Sequence, residues 1–430
     1  MANLLETYQK RIAVSESVYA KAHGGEKLDN NRKMAVAMVL NNTNRFMNEA
    51  FSNSMGTQRA DMGEFKKFCL NLTTVALPNL IASDLVIVHP MSSISGYITY
   101  VKYTAGSNKG ETKQGDVFND PFRLGKVDVN YTSAKVVETI AEGQTELAWG
   151  PVVEGSVEKF SDGQWTKVEG AYTPTAGDKV RYHYDNVVIP QKDLPIVNAE
   201  IASIPLVAKA RRVAIYYSQI AAFQAKTDYG FDLGDQLAEK AVGQLTYEID
   251  TEITDLLIEN AEVKADLTFN KAVPYGISKA QHYEGFNEIV EMGKQHIYDK
   301  TKRFAPNYML CASNVLPVLT FIQGFKAANV SKINGPYLAG SLNGIKVFVT
   351  PNIAPGKFVL GVNGDDMMSS AAVYAPYMAV VPTQLLGYAD GGNSQGFSTM
   401  YALEMLNAEL LVAGEIINDP TANVVYTSAN

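Results

Sequence analysis

From Leu237 onward, apolar residues return at every fourth position: Leu237, Ala241, Leu245, Ile249 and Ile253. That spacing puts them on one ridge of an α-helix, ready to pack on a sheet. Asp232 is placed to cap such a helix, and Asp235 falls in its first turn, facing the positive end of the dipole. The pattern predicts a helix from near Asp232 to Glu259, roughly 40 Å long at 1.5 Å per residue. Ahead of it, Leu206 to Tyr217 carries the β-branched and aromatic content of a strand, with Lys209, Arg211 and Arg212 interspersed.

Other segments follow the same two periods. Residues 3–22 and 31–52 read as helices separated by His23-Gly24-Gly25. They are either a hairpin packed on its own domain or an arm that reaches a neighbouring subunit. Residues 83–105 read as two strands joined by His89-Pro90-Met91, with alternation from Tyr97 to Tyr103. From Gly106 to Pro195, glycine, Asp and Asn punctuate short strands, and both tryptophans, Trp149 and Trp165, lie inside this span. Glu158 to Trp165 is a hairpin in which Asp162-Gly163 supplies the positive φ angles of a tight turn. Phe286, Ile289, Val290, Gly293 and Ile297 mark a second amphipathic helix. Tyr308–Cys311, Ile345–Val349 and Lys357–Gly361 are strands. Residues 397–417 fit either period, and we expect strands that return to the first sheet.

Composition narrows the function classes. A chain of 430 residues can bury a sizeable core. With 37 Lys+Arg against 45 Asp+Glu, it is a poor candidate for gripping nucleic acid through phosphates. Cys69 and Cys311 cannot make a disulfide framework and suit a reducing compartment. The start Met1-Ala-Asn-Leu-Leu-Glu6 has no basic region followed by an apolar run, so no signal peptide is expected. No stretch of about 18 uninterrupted apolar residues suggests a membrane span.

Motifs that carry chemistry are scarce. Gly392-Asn393-Ser394-Gln395-Gly396 matches a hydrolase nucleophile elbow, yet Tyr388-Ala389-Asp390-Gly391 precedes it and the last histidine, His296, lies upstream. Gly364-Asp365-Asp366 offers paired carboxylates for metal ions but reads as a turn after the strand at Lys357–Gly361. His23, His89, His183, His282 and His296 lack metal-ligand spacing. Neither a phosphate loop nor a dinucleotide fingerprint occurs. We therefore expect no enzyme activity, no catalytic residue, no metal site and no cofactor.

Blocks along the chain resemble one known family. Leu77-Pro78-Asn79-Leu80-Ile81-Ala82, Asp84, and then Pro90, Met91, Ser93, Ser95 and Gly96 reproduce an apolar strand, a proline-methionine turn and a glycine opening the next strand. Residues 206–259 supply the strand and long helix, and Tyr374-Ala375-Pro376-Tyr377 a late tyrosine-rich strand. Together they resemble the major head protein of T-even-type tailed bacteriophages, over roughly residues 70–105 and 205–415. The resemblance implies an α+β, Hong Kong-97-like capsid fold. Its parts would be an N-terminal helical arm (1–68), peripheral-domain strands (69–105) and an extended β-loop (106–204) with a small β insertion domain at about 143–185. A peripheral domain with its spine helix (205–267), an axial domain (268–395) and C-terminal strands returning to the peripheral domain (396–430) would follow.

The implied activity is self-assembly into hexamers and pentamers of an icosahedral head, with DNA enclosed but not recognised. The implied partners are other copies, portal and scaffold, and decoration or vertex proteins, with no membrane. The implied location is the virion, after assembly in the bacterial host cytoplasm. A vertex protein of the same fold and an encapsulin-like nanocompartment shell are the alternatives, and a cytosolic hydrolase is a remote one. As inter-subunit contacts we single out Lys209, Arg211 and Arg212 on the basic strand. From the extended loop we add Lys109 and Lys113, which some capsid relatives would use for a Lys-Asn isopeptide bond, together with Trp149 and Trp165.

Overall fold

In the computed structural model the fourfold apolar spacing becomes a helix spanning Leu233–Glu259. Asp232 opens it, its carboxylate accepting from the Gly234 N–H at 2.8 Å. The structure describes residues 2–22, 27–52, 70, 74, 80–110, 112–120, 123–124, 130–161, 163–185, 194–301, 303–328, 335–364, 367–383 and 385–419. Cys69, His23-Gly24-Gly25, Leu77-Pro78-Asn79, Asp162 and Asp365-Asp366 lie outside them.

The long helix buries a single face against two different cores. Ala238, Ala241 and Leu245 pack with Val380, Phe397, Val213 and Ile215 of a five-stranded sheet. One turn further on, Ile249, Ile253 and Leu257 join a larger cluster with residues of a seven-stranded sheet, among them Leu267, Met309, Phe348 and Phe358. Leu237 is only half-buried, and Ala238 takes the inward position at that end. On the buried side, Asp250 accepts from the Ile81 N–H at 3.0 Å.

In the five-stranded sheet, Ile87–Val88 runs parallel to Ala372–Pro382, which pairs antiparallel with Gly392–Met405. That strand in turn pairs with Lys209–Ser218, which forms the sheet edge, and Leu386–Gly387 adds a short partner. Ala372–Pro382 is buried along its whole length. Pro376, which has no N–H to give a ladder, sits where the register shifts, as a proline inside a sheet must. The seven-stranded sheet orders Glu262–Asn270, Leu411–Ile417, Lys357–Gly361, Tyr308–Cys311, Ile345–Val349, Tyr337–Leu342 and Phe325–Ala327. Helix Phe286–Thr301 lies against it so closely at Gly293 that a Cβ there would stand 2.3 Å from a Leu360 methyl.

Two expectations change. Residues 82–85, read as strand, form a helical turn, because the Asp84 side chain turns inward to meet Tyr19, Arg32 and Lys346. The strands after residue 396 were expected to return to one sheet, but they divide between two. Gly392–Met405 stays in the five-stranded sheet, and the Asn407-capped turn Ala408–Leu410 redirects Leu411–Ile417 between Glu262–Asn270 and Lys357–Gly361.

The N-terminal helices Ala2–Thr7, Gln9–Ala22 and Asn30–Ser52 share a cluster of Tyr8, Ile12, Val36, Ala37, Leu40 and Met47. Asn30–Ser52 also reaches the chain's own sheet, where the Asn42 amide donates to the carbonyls of Met91 at 2.7 Å and Tyr377 at 2.9 Å. This is the geometry of a hairpin packed on its own domain.

The chain divides into two units, residues 1–97 with 205–430, and residues 98–204. Ser95–Ala105 and Val197–Val207 pair as a two-stranded ribbon, of which residues 98–105 and 197–204 belong to the second unit. A four-stranded sheet orders Lys135–Thr139, Lys179–His183, Glu158–Ser161 and Gln164–Lys167 over a core of Val136, Ile140, Trp149, Val180 and Tyr182. Lys135–Thr139 precedes residue 143, so this locally folded piece begins earlier in the chain than the insertion expected at about 143–185.

Two substitutions test this packing. Ile249→Asp places a carboxylate where the helix meets the larger core, and urea unfolding should show a loss of about 4 kcal/mol or more. Asn42→Ala leaves two buried carbonyls without their donor and should cost about 2–3 kcal/mol in the same measurement. An unchanged midpoint for Asn42→Ala would mean that the hairpin is not seated on the sheet.

Candidate assembly surface

The edge strand Lys209–Ser218 alternates its side chains across the sheet. Val213 and Ile215 face the long helix and pack on it. Arg211 shares their side, and its guanidinium meets Glu252 of the long helix at 2.5 Å and lies 5.9 Å from the centre of the Tyr401 ring. The Tyr401 hydroxyl donates to the same carboxylate. Arg211 therefore ties the edge strand to the helix within one subunit. Lys209 and Arg212 are exposed. Arg212 is on the face away from the helix, together with Ala210, Ala214 and Tyr216, all of them exposed.

The extended-loop residues separate into two groups. Lys109, expected as a solvated loop lysine or a subunit contact, is 3% exposed. Its ammonium donates to the carbonyls of Tyr131 at 2.7 Å, Asn130 at 3.3 Å and Ser133, and sits 5.5 Å and 5.1 Å from the Trp149 and Tyr184 ring centres. Trp149 is buried with it, and the Trp149 N–H donates to the Tyr182 hydroxyl. A buried ammonium must recover the hydration it has lost, and carbonyl oxygens and aromatic faces are what this pocket supplies. Lys109 and Trp149 thus serve the interior of their own unit and present nothing to a neighbour.

Lys113 is exposed beside an open cleft lined by Asn108, Thr112 and Thr139. Trp165 is half-buried on the outer side of the small sheet, 5.0 Å from Phe160, with the Arg181 guanidinium 4.6 Å from its ring centre. Nearby, burial pushes the Glu138 carboxyl above the usual carboxylate range, against the pull of a hydrogen bond from the Ala148 N–H.

The motifs that suggested chemistry are absorbed by structure. Ser394 lies in the strand Gly392–Met405, opposite Tyr216 on one side and Leu386 on the other, so it does not sit on a strand-to-helix elbow. The His282 ring donates from Nε2 to the Asn270 carbonyl at 2.8 Å and stacks on Phe269, and His296 pairs with Asp266. Among the described residues no group of His, Cys, Asp or Glu side chains is arranged to hold a metal ion, and no helix is long and apolar enough to cross a membrane. Burial pushes the Cys311 thiol up to about 12, which makes it a core residue with little thiolate character.

Sequence reasoning missed the exposed apolar side chains. On the two-stranded ribbon, Tyr97, Val101, Tyr103 and Ile201 face solvent. At the far end of the edge strand, the helix Gln219–Asp228 buries only Ala225 and exposes Ile220 and Phe223. The available signal was a short helix with apolar residues on more than one face.

A family model described as Major capsid protein Gp23 matches residues 62–428. The major capsid protein of Enterobacteria phage T4 is 23% identical over 405 residues, covering 76% of this chain and 73% of that protein. The corresponding protein of Escherichia phage AR1 is 22% identical over 403 residues, with 76% and 73% covered. Among solved structures, the capsid of Myoviridae Phage XM1 aligns with a TM-score of 0.42 and 10% identity, over 79% of this chain and 92% of that one.

Both tryptophans lie in the second unit, so their fluorescence reports on it selectively. Lys109→Met should lower the stability read by tryptophan emission by about 2–4 kcal/mol. Arg211→Ala, which removes a half-exposed ion pair, should cost about 1 kcal/mol or less in the circular-dichroism melt. Equal effects of the two would contradict the buried cage around Lys109.

Proposed function

Because the chain belongs to the Gp23 major capsid protein family, we propose that its copies assemble as hexamers, with pentamers at vertices, into an icosahedral phage head. It is a structural shell protein of the virion capsid and not an enzyme. The observation that carries this reading is the family match over residues 62–428, nearly the whole chain.

Several features support the finer reading. A two-stranded ribbon is marginally stable alone in water, and one exposing Tyr97, Tyr103 and Ile201 gains by lying on a neighbouring copy. We assign the five-stranded sheet and long helix to the peripheral domain and the seven-stranded sheet to the axial domain. The ribbon and its small β-sheet correspond to the extended loop with its insertion. Residues 1–68 contribute to assembly through the outer side of the hairpin. The acidic balance, 45 Asp+Glu against 37 Lys+Arg, suits a wall that encloses DNA without gripping it. Portal, scaffold and decoration or vertex proteins complete the proposed partners, with assembly in the host cytoplasm. Lys209, Arg212, Lys113 and Trp165 remain as proposed inter-subunit contacts.

Electron microscopy of the purified protein tests the reading. We expect closed shells or hexameric capsomers. A protein that stays monomeric at every concentration and salt condition would overturn it, and shells filled with a cargo enzyme in place of DNA would redirect it to a nanocompartment.

A further inference from the structure

The end of the five-stranded sheet is held in place by polar contacts made entirely within the subunit. The Gln219 N–H donates to the Gly391 carbonyl at 2.9 Å, and the Gln219 amide donates to Asn393 at 3.3 Å. The Tyr216 hydroxyl donates to Asp390 at 2.9 Å, and Asp390 also accepts from the Gly392 N–H at 2.9 Å. Tyr216 lies flat over Gly392, where a Cβ would come within 2.1 Å of its hydroxyl. Ser218 caps the helix Gln219–Asp228 by accepting from the Ile220 N–H. The start of this helix and the turn at residues 388–392 are thus tied together within the subunit as one tip.

Its large apolar side chains nevertheless point to solvent. Ile220, Phe223 and Tyr229 are 72%, 71% and 76% exposed. On the turn bonded to Gln219 and Tyr216, Leu385, Leu386 and Tyr388 are each about half exposed, and the Tyr216 and Tyr388 rings are 6.2 Å apart. Aromatic side chains offer about 150–250 Å² each, so the tip presents on the order of 700 Å² of largely apolar surface. That exceeds what a monomer usually leaves uncovered and approaches the roughly 800 Å² that one partner contributes to a standard interface. Lys226, Asp228 and Asp390 leave the region near neutrality, so it suits neither a polyanion nor a strongly charged protein.

We infer that this tip is a preformed hydrophobic contact at which a second copy of this chain packs, with Phe223 and Ile220 as its anchors. The inference rests on the shell reading above and names a specific contact within it. Order in the tip is established by its own hydrogen bonds, so association spends little on immobilising it, and apolar burial drives the contact. Two exposed anchors on a short helix fit the pattern in which a few residues carry most of an interface's energy.

Two measurements decide it. In the unaltered protein, amide hydrogen exchange of residues 219–229 and 385–391 should slow at least tenfold in assembled shells relative to unassembled subunits. With only this chain in solution, such protection can come from no other protein. In the second, the double variant Ile220→Ser/Phe223→Ser should keep the wild-type melt, since both side chains are exposed, and lose at least tenfold in sedimentable particles. Equal exchange in the two states, or a normal particle yield from the folded variant, overturns the inference while leaving the shell reading intact. If the variant misfolds, the exchange comparison on the unaltered chain decides alone. Failure of the unaltered protein to form shells removes the shell reading, and this contact with it.

Discussion

The constraint on which the first unit depends is that one helix must satisfy two cores at once. A helix has one inward stripe, and in Leu233–Glu259 that stripe changes partner about halfway along. Small residues, Ala238 and Ala241, let it approach the five-stranded sheet closely, and the bulkier Ile249, Ile253 and Leu257 fill the larger cluster beyond. A shift of one residue would turn Asp250 away from Ile81 and Glu252 away from Arg211 and Tyr401. The helix thus sets the spacing of the two sheets within the unit.

The second theme is where positive charge goes. Arg211, Arg32 with Lys346, and Lys109 are each drawn into internal contacts: with Glu252, with Asp84, and with backbone carbonyls and aromatic rings, respectively. Each clamps elements that are distant in sequence, and Lys109 is withdrawn from the surface altogether. In the proposed shell, beside the exposed cations Lys209, Arg212 and Lys113, attraction between subunits would draw on apolar contacts. Such contacts tolerate the small angular differences between neighbouring positions in a closed shell better than directional ion pairs do.

The exposed apolar surface is unevenly distributed. It is concentrated on the ribbon strands and on the tip around Phe223. Among the described residues the ribbon pairs as two strands, and only residues 115–118 add hydrogen bonds, along Tyr103–Ala105 at one end. The tip, by contrast, is braced by its own hydrogen bonds. One surface would gain order on assembly, and the other offers order already established.

Features that depend on neighbours in sequence were legible without the structure. The i, i+4 ridge with its Asp232 cap, the second amphipathic helix around Phe286 and the strand alternation near Tyr97 are consequences of local period and local hydrogen bonding. The α+β class and the family likewise follow from the order of such blocks. Only the tertiary structure decided that Lys109 is caged, that residues 82–85 turn helical around Asp84, and that Leu411–Ile417 leaves the first sheet for the second. These outcomes rest on partners far away in sequence, such as Asn130, Lys346 and Lys357, which no local pattern around each residue contains. The tip was hidden for the same reason: Ile220 and Phe223 look like core residues in sequence, and exposure exists only once the fold has left them without a covering element.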